Sequence, residues 1–378
     1  MRYDFGPGHP FAPVRIALTA RLCRDLGLFD GVDVVDAEVA SDDLLQTVHT
    51  AGLVSAVRRA SLDTRAEVGH GVGTEDTPSF PGMHDSAARV FGGSVALARA
   101  LVAGEVDHGV NFAGGLHHAA ADTASGFCVY NDAAGAVRAL LDDGVQRVVY
   151  VDTDVHHGDG TESIFWDEPR VTTVSVHESG STLFPGTGYP ADTGGPGAEG
   201  TAVNVALPAG TGDAGWLRAL HSVVRPVVRE VRPQVIVTQH GCDTHLLDPL
   251  AHLRVSVDGQ RAAAMMLHGL AHEVTEGRWL ALGGGGYELV DVVPRAWAHL
   301  VGVAVHRPVE PTTAVPASWL DYVSAALGQP GPRRMTDGSS ADFTTWESGY
   351  DPSDPVDQAI MATRRAVFPV LGLDPWFD

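Results

Sequence analysis

Eleven residues, Tyr150–Gly160 (YVDTDVHHGDG), hold the densest chemistry in the chain. Asp152, Asp154, His156, His157 and Asp159 all fall within it. In an extended segment Asp152, Asp154 and His156 share one face by the period of two. An aspartate and a histidine of that face would supply one oxygen and one nitrogen ligand, with Asp243 as a third. Three protein ligands and an open position make a catalytic rather than a structural metal site. The competing reading is a buried salt-bridge network, but so many ionisable groups are costly to bury without a cation among them. Two carboxylates and an imidazole suit zinc, and would also accept iron(II) or cobalt.

His117 and His118 are a tandem pair suited to acid–base work. Activating water and then protonating a leaving group needs a base and an acid. Asp152 and Asp159, where they are not ligands, would orient those imidazoles and raise their basicity. A histidine pair alone is a weak signal, and its surroundings carry the case. The run Gly283–Glu288 (GGGGYE) has two readings. It is either a flexible turn or backbone that passes close to a ligand. It lacks the GxGxxG and GK[ST] spacings of nucleotide loops. Tyr287 beside it is either a core tyrosine or a donor aimed at a developing oxyanion.

The elements that must position these residues are short β-branched runs: Arg147–Val151, Val171–Val176, Val203–Leu207 and Val235–Thr238, with Trp279–Leu282 weaker. They are apolar on both faces, as parallel strands covered by helices are. Helical stretches alternate with them: Ser86–Val102, Asn131–Leu141, Trp216–Val231 and Gln260–Glu276. Ser41 caps a further expected helix in which Leu44, Leu45, Val48, Leu53 and Val57 form one stripe. The fold class is therefore α/β, a single doubly wound, mostly parallel sheet flanked by helices. Ligands bind beyond the carboxyl ends of such strands, and here those ends run into Asp152–Asp159, into His240 and Asp243, and into Gly283–Tyr287. The catalytic domain is expected to span 1–307. Residues 308–378, rich in Pro, Ser, Thr and Gly with a helix at Asp354–Val367, form an appendage packed on it.

The chain has 378 residues, 44% hydrophobic and 19% charged, which excludes a disordered protein. Its 25 basic against 47 acidic residues leave a charge of −22, the wrong sign for binding nucleic acid. Cys23, Cys128 and Cys242 lack CxxC spacing and are too few for a disulfide framework. No signal-peptide stretch opens the sequence, and no apolar run approaches the ~20 residues of a membrane helix. A cytoplasmic protein without membrane contact is expected. Its oligomeric state is unspecified.

Taken together the motifs resemble the zinc-dependent histone deacetylase superfamily, with its arginase/deacetylase fold. GGLHHA (Gly114–Ala119) resembles the tandem-histidine motif, and ASGFCVYND (Ala124–Asp132) a tunnel wall. DTDVHHGDG (Asp152–Gly160) and GCDTHLLDP (Gly241–Pro249) resemble the metal-binding motifs. LFPGTG (Leu183–Gly188) and LGGGGY (Leu282–Tyr287) resemble a second wall and a tyrosine loop. HPFAPVR (His9–Arg15) and GTEDTPSFPGMHD (Gly73–Asp85) look most like the bacterial acetoin-utilisation deacetylases, relatives of the class I enzymes.

The resemblance implies a role for each matching residue. Asp154, His156 and Asp243 would hold zinc. His117 and His118, backed by Asp152 and Asp159, would contact the attacking water and the leaving nitrogen, and Tyr287 the carbonyl oxygen. Gly126, Phe127, Phe184, Leu250 and Gly285 would line the tunnel, with Asp76 at its rim and Arg15 at an inner acetate exit. Potassium or sodium would lie near Asp152, Asp154, His156, Ser175 and Val176, and near Phe165 and Val171. Leu183 stands where many relatives carry a second aromatic, which implies a wider mouth. His245, two residues after Asp243, would face the rim or a neighbouring loop rather than a second metal, because the bridging carboxylates of such a site are missing. The implied activity is removal of acetyl groups from lysine side chains of a protein or peptide substrate. An acetylpolyamine or other small acylated amine is the alternative. A non-catalytic acyl-lysine reader would need no base, so the histidine pair speaks against it.

Overall fold

The structure, a computed structural model, describes residues 3–378. One sheet contains six strands: β1 (His108–Asn111), β2 (Val148–Asp152), β3 (Val171–Glu178), β4 (Ala202–Leu207), β5 (Val235–Gln239) and β6 (Trp279–Leu282). Their spatial order is β1-β6-β5-β2-β3-β4, and every pairing is parallel. β2, β3, β5 and β6 are buried at every residue. That burial explains why they read as apolar on both faces rather than alternating. Val148 and Tyr150 join one apolar cluster while Val149 and Val151 join another, so the two cores lie on opposite faces of the sheet.

One core takes α3 (Ala51–Asp63), α4 (Met83–Ala103) and α5 (Asp132–Asp142); the other takes helices at Asp213–Ala219, Arg225–Val231, Val257–Thr275, Val293–Ala304 and Pro355–Leu371. We number the helices in chain order: α1 (Val14–Asp25) and α2 (Asp42–Leu45) precede α3, and α6 (Asp159–Ile164) follows α5. Then come α7 (Asp213–Ala219), α8 (Arg225–Val231), α9 (Val257–Thr275), α10 (Val293–Ala304), α11 (Ala317–Leu327) and α12 (Pro355–Leu371). Among the described residues only α4, at 21 residues, is long and apolar enough by composition to cross a membrane. Its apolar side, including Val90, Phe91 and Val95, is buried in the core.

The sheet has its topological switch between β2 and β5. The chain runs outward through β3 and β4, then returns to place β5 on the other side of β2. Asp152 at the end of β2 pairs in register with Gln239 at the end of β5. The residues after each strand therefore project into a common crevice, where doubly wound sheets bind ligands.

Two expectations need correction, and two elements left no signal in the sequence. The helix capped by Ser41 is two helices, because Thr50 breaks it. The Thr50 N–H donates to Ala121 O at 2.8 Å, and its hydroxyl caps Leu53 N–H to start α3. The segment after β2 is not extended: the strand stops at Asp152, and Asp154 and His156 sit in bends. β1 escaped notice since it is four residues long with Gly109 inside it. α10 escaped since all of its residues are buried, so it shows no polar stripe to mark a period.

The C-terminal stretch is tied to α1, β4 and α7 by buried polar contacts. Trp319 Nε1 donates to Leu18 O at 2.9 Å, and Thr363 Oγ1 to Asn204 O at 2.5 Å. Arg218 makes a bidentate pair with Asp357 at 2.6 and 2.9 Å, both side chains at most 7% exposed. The same guanidinium donates to the Thr345 and Gly349 carbonyls. Asp357→Ala leaves that buried charge without its counter-ion, which costs about 3–5 kcal/mol. Chemical denaturation of the variant checks this, and a loss below about 1 kcal/mol would show that Arg218 rehydrates instead.

Candidate active site

Asp154, His156 and Asp243 converge at the switch point. Each offers a ligand atom within 4.8 Å of the others, and all three are buried. His156 Nδ1 lies 3.1 Å from both Asp154 Oδ1 and Asp243 Oδ2. The remaining carboxylate oxygens are held by neighbours: Gln239 Nε2 and Gly285 N–H donate to Asp154 Oδ2 at 2.7 and 2.8 Å, and Val155 N–H donates to Asp243 Oδ1 at 3.0 Å. Burial pushes the Asp243 carboxyl up, reinforced by the charge of Asp154. His156 loses by burial but gains more from the two carboxylates, which lift it to about 10. Two buried carboxylates with one imidazole between them form a pocket of oxygen and nitrogen donors that a divalent cation fits.

His117 and His118 approach the same pocket from the loop after β1. Their Nε2 atoms are 3.1 Å apart, and His117 Nε2 is 3.9 Å from Asp154 Oδ1. Behind them, His117 Nδ1 pairs with Asp152 Oδ2 at 2.8 Å and His118 Nδ1 with Asp159 Oδ1 at 2.7 Å. Each carboxylate holds its imidazole with Nδ1 as donor and Nε2 facing the pocket. With the Nε2 atoms this close, two imidazoliums would repel, so a charge on one ring disfavours a charge on the other. Burial lowers both histidines. For His117 the charges of Asp152 and Asp154 outweigh it and raise the group to about 9, whereas His118 stays depressed, with His117 adding to the effect. The loop is braced by His49, whose ring bonds Ala120 O and accepts from Asn131 N–H, and by the Asn131 amide on His117 O and Ala119 O.

The glycine run resolves in favour of close approach. A Cβ on Gly285 would lie 1.9 Å from Asp243 Oδ2, so only glycine lets this backbone reach the acidic pair. Arg15, buried, donates to Gly284 O and Gly286 O at 2.9 and 3.2 Å and lies 4.0 Å from the centre of the Phe11 ring. The run thus aims Tyr287, whose N–H is held by Asp248 Oδ2 at 2.9 Å. Burial and the nearby Asp243 and Asp154 push its phenol well above its usual range, so it remains a donor.

The expected walls also gather. Phe184 packs 5.1 Å from the His118 ring and is 46% exposed. Phe127 stands edge-on to Tyr287 at 5.7 Å. Gly126 and Phe127 both have positive φ, and a Cβ on Gly126 would strike the His118 ring at 2.2 Å. Asp76 Oδ2 accepts from Gly126 N–H at 2.6 Å, so it positions this wall. Leu250 is joined to the tyrosine loop through Asp248, which accepts both the Leu250 and the Tyr287 N–H. Leu183 packs on the core instead of adding a second ring.

Other residues lie elsewhere or do other work. Ser175, opposite Asp152 in register, pairs with His177 at 2.8 Å, and Val176 is buried beside it. Phe165 and Val171 sit at the opposite end of β3, linked through Glu168. His240, although a strand-end histidine, turns away: its Nε2 pairs with Thr238 Oγ1 at 2.8 Å, and burial lowers it to about 3. His157 turns to Thr187 and Glu162. His245 faces a neighbouring loop, its Nε2 2.8 Å from Asp337 Oδ2. Gln239, Asp248 and Tyr150, which donates to Asp152 at 2.7 Å, were not foreseen. None stands at a spacing that marks it; only Gln239, a polar residue ending an apolar strand, carried a signal.

The histone deacetylase domain family matches residues 9–304. Acetoin utilization protein AcuC of Bacillus subtilis is 39% identical over 321 residues, 84% of this chain and 82% of its own. AcuC of Staphylococcus xylosus is 36% identical, covering 85% and 84%, and AcuC of Staphylococcus aureus (strain MSSA476) 36%, covering 89% and 87%. The matched span contains the acidic pocket, the histidine pair and the tyrosine loop together, and the chain belongs to the histone deacetylase family.

Proposed function

We propose that the protein is a zinc-dependent deacetylase that removes acetyl groups from lysine side chains of proteins, as the acetoin-utilisation type of the family would. One observation carries the reading: a carboxylate-backed histidine pair, Nε2 atoms 3.1 Å apart, with His117 Nε2 3.9 Å from Asp154 in a buried set of two carboxylates and an imidazole. Asp154, His156 and Asp243 fit zinc in donor type, burial and spacing. Zinc bound there supplies Lewis acidity, polarising the amide carbonyl and bringing water to a pKa of about 7. The histidine of the pair that is neutral takes the proton of the attacking water and returns it to the departing ε-amine. Asp152 and Asp159 hold both rings in the tautomer this needs. Tyr287 donates to the carbonyl oxygen as it becomes an oxyanion.

Phe127, Gly126 and Phe184 grip the aliphatic stem, Leu250 and Gly285 complete the walls, and Asp76 at the rim accepts from the substrate backbone. Arg15 borders a small cavity with Tyr3, Phe11 and Ala113, a path for acetate. Structural potassium or sodium belongs near Asp152, Asp154, His156, Ser175 and Val176, and near Phe165 and Val171. A panel of acetyl-lysine peptides and acetylated polyamines tests the substrate class. Peptides are expected to lead in kcat/KM by at least about tenfold, or 1.4 kcal/mol. Polyamines leading by that margin would overturn the protein substrate and leave the deacetylase.

A further inference from the structure

Four histidines meet at the amino end of the sheet, away from the catalytic crevice. His108 is the first residue of β1 and pairs in register with Trp279, the first of β6. In a parallel sheet this end is opposite the strand ends that carry Asp152 and Gln239. His268 and His272 stand one turn apart on α9, and so share a face. His306 lies two residues beyond the end of α10, after its C-cap Val305. The six ring-centroid separations run from 4.6 to 5.3 Å. One ring nitrogen from each lies within 4.8 Å of the others.

We propose that His108, His268, His272 and His306 form a second, structural site for a divalent transition-metal ion. Three further observations point the same way. His108 Nδ1 donates to Ala304 O at 2.7 Å, which leaves Nε2 as the lone-pair nitrogen, and that Nε2 is buried without a partner among the described residues. His268 and His272 Nε2 atoms face each other at 3.1 Å with no carboxylate between them. His306 has φ of +57°, a backbone that usually selects glycine after a helix; the histidine there places a fourth ring on the cluster.

Tetrahedral coordination at about 2.0–2.1 Å puts ligand nitrogens about 3.4 Å apart, which small ring rotations reach from here. Four imidazoles and no oxygen donor select zinc, cobalt, nickel or copper over magnesium or calcium. With all four positions filled by protein the ion is structural, joining β1, α9 and α10.

The test is metal stoichiometry of the full chain, stripped of metal and equilibrated with Co²⁺ or Zn²⁺ alone. Two equivalents are expected for the parent protein, one for His272→Ala/His306→Ala, and one for Asp243→Ala. The visible band of Co²⁺ in a four-nitrogen site should persist in Asp243→Ala and vanish in the double variant. Zn²⁺ should raise the melting temperature of Asp243→Ala but not that of Asp243→Ala combined with the double variant. Both altered histidines are exposed, so metal-free melting should be unchanged, and His272→Gln gives a milder version of the same comparison. Equal stoichiometry in the parent and the double variant, or no metal on Asp243→Ala, would overturn the site.

Discussion

Asp154→Ala or Asp243→Ala is expected to remove one equivalent of bound metal and all measurable turnover. Either change leaves two protein ligands, and the remaining carboxylate with His156 cannot close three positions. Asp154 is the more consequential of the two, since Gln239 Nε2 and Gly285 N–H both donate to its Oδ2. Its loss leaves two buried donors unpaired, about 1–3 kcal/mol each. Asp243 accepts one backbone N–H, from Val155, so its removal disturbs the fold less and isolates the chemistry better. Metal analysis, turnover on an acetyl-lysine peptide and a melting curve separate these effects. A folded Asp243→Ala with parental metal content and activity would show that the acidic pocket is a salt-bridge network and no metal centre.

Tyr287→Phe should lower kcat by ~10²–10³-fold, or about 2.7–4 kcal/mol, while metal content stays parental. The backbone of this loop is held through the Tyr287 N–H on Asp248 and through Arg15 on Gly284 and Gly286, none of which the substitution touches. The phenol is protonated at neutral pH, so what is lost is a donor. KM should move much less than kcat, because the bond strengthens only as charge builds on the oxygen. A tyrosine that merely packed against Phe127 would give the opposite pattern, a lower melting temperature with near-normal turnover. A variant within threefold of the parental kcat removes Tyr287 from the mechanism.

Local sequence determined the strands β2, β3, β5 and β6, because burial on both faces writes a continuous apolar run that no distant residue alters. It also marked the candidate site residues at Tyr150–Gly160, at the histidine pair and at Asp243, since acids and histidines after apolar strands stand out in any fold. Tertiary structure decided the rest. Nothing local distinguishes His240, turned onto Thr238, from Asp243 three residues later, turned into the pocket; the bend after β5 does that. Gln239 reaches Asp154 only because β5 lies beside β2, a consequence of strand order. The split at Thr50 depends on Ala121, which lies in the loop after β1. The four histidines from 108 to 306 leave no motif, for they meet only where β1 closes the sheet against β6 and α9 and α10 end beside it. Periodicity and spacing register interactions within a few residues, whereas these contacts span tens to hundreds, and sheet order alone brings such pairs together.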